Sequence, residues 1–191
     1  MRLTTSHTHT PRRCQTGAVR YLSVVRHAKA TAAQPGASDY ERALSAKGLR
    51  QCAQLRTWAQ EHTALAQYGP VTALVSSAKR TRETFERAFE GTAFVNSVWY
   101  SDLIYNGRRD VSAEELLVEL SSVDPVTTSL MVVAHNPTLH ELVEMLALKR
   151  SEWLRAGAYP LGGAFVFELP DDEPIGLSSY SLVNTLIPEG I

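Results

Sequence analysis

The sequence predicts an α/β fold, a mostly parallel central sheet with helices on both faces. Two observations carry this: short β-prone apolar runs alternate with helical patterns, and three of those runs end in short clusters rich in Arg, His, Ser and Asn. The clusters are Arg26-His27-Ala28, Ser76-Ser77-Ala78-Lys79-Arg80 and Ala134-His135-Asn136-Pro137. Sheets of this kind collect ligands at the carboxyl ends of their strands, which is where all three clusters fall.

The elements follow in order. Residues 21–25 (YLSVV) read as a buried strand and are followed by a Gly/Pro-containing loop over residues 34–39. Residues 45–66 read as a helix with Leu55, Trp58, Ala59 and His62 near one face, ended by Gly69-Pro70. A second strand at 71–75 (VTALV) leads into a helix over 78–89 that carries Phe85, Ala88 and Phe89, and 93–99 is a third strand. Ser112-Ala113-Glu114-Glu115 is a capping box ahead of Leu116, Leu117 and Leu120. The strand at 129–134 (SLMVVA) runs into Asn136 as N-cap and Pro137 as first helical residue. Leu139, Leu142, Val143 and Leu146 then repeat at helical spacing, with Lys149 and Arg150 in the last turn. A late strand covers 164–169 (AFVFEL) and a weaker one 177–183.

The chain has 191 residues, 44% apolar and 20% charged, with a net charge of −1. That length suits one domain with a substantial core. The near-zero charge gives no field favouring nucleic acid or an acidic membrane surface, and no apolar run reaches bilayer length. Cys14 and Cys52 are the only cysteines and make no disulfide framework, which points to a reducing cytoplasm. Residues 1–18 are rich in Thr, Ser, His and Arg, and no acidic residue precedes Asp39. They are expected to be a disordered extension rather than a metal-binding His7-x-His9 pair or a basic contact arm. Residues 19–191 then form a single domain.

Chemistry narrows the site. A neutral imidazole has a lone pair that can accept a phosphoryl group, and the guanidinium of Arg26 beside His27 forks onto phosphate oxygens. Arg80 lies in the first turn of a helix, where free N–H groups already favour an anion. His135, at a strand-to-helix turn, is placed to stabilise charge on a transferring group. Ser76 and Ser77 read as turn and cap residues and sit in no G-x-S-x-G elbow. A metal site at His27, His135 and His140 is the rival, but the five-residue spacing of the last two does not share a helical face.

Together the motifs resemble those of the histidine phosphatase superfamily, also called the phosphoglycerate mutase-like or RHG superfamily. Its R-H-G is similar to Arg26-His27-Ala28, its S-x-x-x-R-A-x-Q-T to residues 76–84 (SSAKRTRET) with Thr81 and Glu83 replacing Ala and Gln, and its G-H-N-P to residues 134–137. Residues 39–48 (DYERALSAKG) resemble the D-x-x-R-x-L-[ST]-x-x-G segment of short SixA-type phosphohistidine phosphatases. The resemblance spans about residues 20–170 and implies a three-layer α/β/α sandwich of phosphoglycerate mutase-like type, with no metal or other cofactor.

On that resemblance His27 is the nucleophile, Arg26 and Arg80 bind the phosphoryl oxygens, and His135 stabilises the transferring group. Asn136 adds a contact, and Lys29 lies at the rim. Ala28 in place of Gly matters only if that position needs φ > 0. Mutase-like members carry a glutamate general acid after the second helix; no E-x-x-x-G match is found here, and Asp102 is a candidate. A substrate whose leaving group protonates readily is then favoured, as the imidazole of phosphohistidine does. The expected function is phosphohistidine hydrolysis on a protein such as a phosphotransfer domain. The alternatives are a phosphatase of a small ester or nucleotide, and a non-catalytic phosphate or phosphoprotein sensor.

Overall fold

The computed structural model describes residues 20–61, 70–107, 109–123, 129–147, 159–170, 173–176 and 178–188. The extension at 1–18, His62 and the Lys149-Arg150 pair lie outside them. Six strands form one sheet: β1 (Arg20–Arg26), β2 (Val71–Ser76), β3 (Val95–Ser101), β4 (Ser129–Ala134), β5 (Ala164–Leu169) and β6 (Ser181–Leu186). Their spatial order is β3-β2-β4-β1-β5-β6, and β5 alone runs against the rest. Among the described residues four helices cover the two faces: α1 (Ala46–Glu61), α2 (Lys79–Ala88), α3 (Ala113–Val123) and α4 (Thr138–Leu146). This is the three-layer α/β/α arrangement expected from the sequence.

The strands β2 and β4 are buried along their whole length, which is why they read as unbroken apolar runs. Along β1, β2, β4 and β5, alternate side chains serve opposite cores. Leu22, Val24, Leu74, Leu130 and Val132 pack with Leu116, Leu120, Leu139 and Leu142 of α3 and α4. Val25, Ala73, Val75, Met131 and Val133 pack with Leu55, Trp58 and Phe85 of α1 and α2, and with Phe89 just beyond α2.

Helix starts follow local hydrogen bonding. The capping box at α3 is formed reciprocally: Ser112 N–H donates to Glu115 Oε2 at 3.0 Å, and Glu115 N–H to Ser112 Oγ at 3.2 Å. At α4 the expectation fails by one residue. Pro137, not Asn136, is the cap, because its carbonyl accepts the first helical bond from Glu141 N–H at 3.1 Å; the Asn136–Pro137 peptide is cis. At α2 the cap is Ala78, so Ser76 and Ser77 are not capping residues; their hydroxyls are used elsewhere. The weak last strand also lies later than expected, at Ser181–Leu186. It pairs with β5, and a register shift between Val166 and Phe167 offsets that pairing.

The start of α1 braces the turn after β1. Ser45 caps the helix through Gly48 N–H to Ser45 Oγ at 3.2 Å. The N–H and the hydroxyl of Ser45 both donate to the Lys29 carbonyl, each at 2.9 Å. That carbonyl lies so near α1 that a Cβ on Gly48 would sit 2.2 Å from its oxygen. Gly48→Ala therefore forces helix and turn apart, an overpacking strain of about 1–3 kcal/mol. Thermal unfolding is expected to show Tm lowered by several degrees; an unchanged Tm would contradict this packing.

Candidate active site

Neighbouring strand ends deliver the site. In the parallel ladders Arg26 faces Ala134, and Val75 faces Val133. The first residue past β1 continues the pairing, with His27 N–H donating to the Ala134 carbonyl at 3.1 Å. His27 and His135 consequently emerge side by side, their ring centroids 5.1 Å apart.

His27 is buried, and Nδ1 lies 2.8 Å from the carbonyl oxygen of Ala28. A carbonyl only accepts, so Nδ1 carries the proton and Nε2 keeps its lone pair. Burial, with repulsion from Arg80, Arg26 and Arg42, lowers the His27 pKa to about 3 despite the opposing bond to Ala28. The ring is thus neutral near neutral pH, with its lone pair on Nε2. Ala28 avoids the left-handed region, since no residue other than glycine has positive φ among those described. Its N–H donates to Thr84 Oγ1 at 3.0 Å, and its methyl packs with Leu44 and Cys52. The Gly-to-Ala departure therefore carries no backbone strain.

The two arginines are held by carbonyls. Arg26 Nη1 donates to the Tyr159 carbonyl, and Tyr159 is itself anchored by its hydroxyl to the Val24 carbonyl at 2.6 Å. Arg80 is 5% exposed; its Nη1 donates to the Asp39 carbonyl at 2.8 Å, and Nη2 lies 3.1 Å from Asp39 Oδ2. Asp39 also accepts from Arg42 Nε at 2.7 Å and from the Tyr105 hydroxyl at 2.9 Å. Partial burial acts to raise the Asp39 carboxyl, but Tyr105, Arg80 and Arg42 outweigh it and hold it below the usual carboxylate range. Asp39 is therefore no proton donor. Burial, and then Asp39, push the Tyr105 phenol above its ordinary value.

His135 is 3% exposed, and its Nε2 lies 2.8 Å from the fully buried Ser76 hydroxyl. Burial first, then His27, Arg80, Arg26 and Arg42, lower its pKa well below the ordinary histidine value. Nδ1 is buried without a partner among the described residues. A serine hydroxyl can donate or accept; if Ser76 donates to Nε2, then Nδ1 carries the proton and can present it to a phosphoryl oxygen. The Tyr105 ring packs edge-on to His135 at 5.7 Å, with Arg80 5.7 Å from the Tyr105 centroid.

The structure thus brings His27, Arg80 and His135 together, and the charge of Arg26 acts on both histidines. Asn136 adjoins them; its Oδ1 is buried without a partner among the described residues, and its carbonyl accepts from Asn106 at 3.4 Å. The Lys29 side chain is exposed. Among the described residues only its backbone is engaged, by Gln51 and Ser45. Asp102 accepts from Ser77 Oγ and, at 3.3 Å, from the Tyr40 hydroxyl. His140 pairs with Glu144 at 3.8 Å. Among the described residues no group of three or more His, Cys, Asp or Glu is placed to hold a metal ion. Burial pushes the Cys52 thiol up to about 11, which leaves it unreactive.

Sequence reasoning did not foresee what Ser76, Thr84, Tyr105, Asp39 and Arg42 contact, although Thr84 is a letter of the S-x-x-x-R-A-x-Q-T segment, Asp39 and Arg42 are letters of the D-x-x-R segment, and Asp39 and Tyr105 fall in segments 31–39 and 100–110, where a pocket rim was expected.

No protein-family model and no curated protein sequence matches the chain. Solved structures do. A protein assigned as the phosphohistidine phosphatase SixA of Agrobacterium tumefaciens is 24% identical, with a TM-score of 0.70 over 88% of this chain and 99% of that one. One with the same assignment from Nakamurella multipartitia is 23% identical, with a TM-score of 0.71 over 90% and 98%. The protein histidine phosphatase SixA complexed with tungstate is 17% identical, with a TM-score of 0.65 over 87% and 96%. The chain shares its fold with these solved structures across nearly its whole length.

The depressed His27 pKa makes a stability prediction. Above about pH 6.5 the ring is neutral both folded and unfolded, and its titration adds nothing. Between about 6.5 and 3 the unfolded chain binds a proton that the folded one refuses, so stability falls as pH falls through that window. Tm measured against pH should drop there, and His27→Asn should flatten the drop. An identical profile for the variant would contradict a neutral, buried His27.

Proposed function

We propose that the chain is a phosphatase that transfers a phosphoryl group from its substrate to Nε2 of His27 and then to water. The observation that carries this reading is the neutral His27 tautomer beside a second buried histidine, within the field of Arg80, Arg26 and Arg42. The Nε2 lone pair forms the new bond to phosphorus while the bond to the leaving group breaks with its electron pair. Arg26, Arg80 and the His135 Nδ1–H stabilise the charge on the phosphoryl oxygens. Water then attacks the phosphohistidine, releasing inorganic phosphate and restoring neutral His27.

The substrate we propose is phosphohistidine on a protein, such as a phosphotransfer domain, acted on in the cytoplasm. Among the described residues no aspartate or glutamate is buried, so burial holds no carboxyl group in the protonated state that would supply an alkoxide with its proton. Imidazole leaves without that help. The resemblance to structures assigned as SixA supports the same choice. A small phosphate ester is the second reading, favoured by a cleft of about 460 Å³ that borders the site. A pure phosphate sensor has no use for an imidazole whose tautomer is set for attack.

Wild-type protein given a histidine-phosphorylated peptide should take up an acid-labile phosphoryl group on His27. His27→Ala should take up none and lose kcat/KM by more than roughly a thousandfold. Full retention of phosphate binding with no turnover by the wild type would replace the enzyme with a sensor. Faster turnover of one ester than of the phosphopeptide would keep the nucleophile and establish the second reading.

A further inference from the structure

The cleft beside the phosphate pocket has walls that the phosphoryl chemistry above leaves unused. Ser38, Asp39, Tyr40, Asp102, Tyr105 and Gly107 line it. It joins the pocket through two of these residues: Tyr105 packs on His135, and Asp39 bonds Arg80. Tyr40 and Tyr105 meet edge to face at 5.2 Å, so the rings of His27, His135, Tyr105 and Tyr40 run from the nucleophile into the cleft.

The two carboxylates in this cleft differ in their freedom. Asp39 is engaged by Arg80, Arg42 and Tyr105 through both its oxygens. On Asp102 both hydrogen bonds, from Ser77 and Tyr40, fall on Oδ1. Among the described residues Oδ2 has no partner. Ser77 and Tyr40 fix the orientation of the carboxylate and leave that oxygen for a ligand.

We propose that this cleft is the leaving-group subsite, that it takes the imidazole of a phosphorylated histidine side chain, and that Asp102 Oδ2 accepts the ring N–H remote from phosphorus. This rests on the phosphatase reading and names the part of the site that selects a P–N bond. A flat heteroaromatic ring suits walls made of two tyrosines, and a carboxylate stabilises the ring in its protonated, cationic form. The ring then enters with its remote nitrogen protonated. As His27 Nε2 bonds to phosphorus, the P–N electron pair returns to the ring, which leaves as neutral imidazole. No proton moves while that bond breaks, which accounts for a site without a buried acid. An alkoxide leaving group would instead meet a carboxylate that repels it.

The test compares kcat/KM for a peptide phosphorylated on a single histidine with kcat/KM for p-nitrophenyl phosphate, whose phenolate leaves without a proton. Asp102→Asn keeps an acceptor for Ser77 and Tyr40 but replaces the carboxylate oxygen with an amide. The ratio of the two constants is expected to fall at least tenfold in this variant, and Asp102→Glu should recover part of it. A ratio within twofold of wild type, with both substrates turned over, would overturn the leaving-group assignment alone. Wild-type protein that turned over neither substrate would overturn the phosphatase reading, and this inference with it.

Discussion

The hydrogen bond from His27 Nδ1 to the Ala28 carbonyl, 2.8 Å long, is the constraint on which the site depends. It selects one of two neutral tautomers and so decides that Nε2, not Nδ1, holds the lone pair. Without it, a histidine among three arginines would still be neutral, but which of its nitrogens holds the lone pair would not be specified. Burial and cationic neighbours then act together. After burial, the same guanidinium groups that the proposed function uses to bind phosphate help keep the imidazole unprotonated.

Holding that bond in place takes more of the chain than the strand ends. The turn carrying it is tied on several sides: Ala28 N–H to Thr84, Lys29 N–H to Gln51 at 2.8 Å, and the Lys29 carbonyl to Ser45. The segment from Asp39 to Gly48 supplies much of this support. Asp39 holds Arg80, Arg42 reaches back to the Thr31 carbonyl at 2.8 Å, and Leu44 N–H donates to Glu83 at 2.7 Å. Gly48 lets the Lys29 carbonyl approach α1. A pattern of letters in the sequence thus becomes a brace joining the turn after β1 to Arg80.

The sheet and its four helices were readable because each is dominated by local signals: continuous apolar runs for β1, β2 and β4, and a capping box for α3. That Arg26, His27, Arg80 and His135 come near one another was readable, because Arg26 ends β1, His27 and His135 follow strand ends and Arg80 lies in the first turn of α2, at the edge where α/β sheets present ligands. What could not be read depends on distant partners. Ser76 looked like a turn residue, yet its hydroxyl meets a histidine delivered by another strand. Tyr105 lies in a loop without periodicity, and only the fold shows it spanning Asp39, Arg80 and His135. The one-residue error at α4 came from placing proline inside the helix, when its carbonyl makes it the cap.

The protonation and tautomer of His27 form the central claim, and nitrogen-15 NMR of the imidazole rings reads both directly. With the His27 signal assigned by His27→Asn, the spectrum at pH 7 should show a neutral ring with a proton on Nδ1 and a bare Nε2, and that pattern should persist at pH 5. A protonated imidazolium at pH 7, or a neutral ring with its proton on Nε2, would contradict the account at its root.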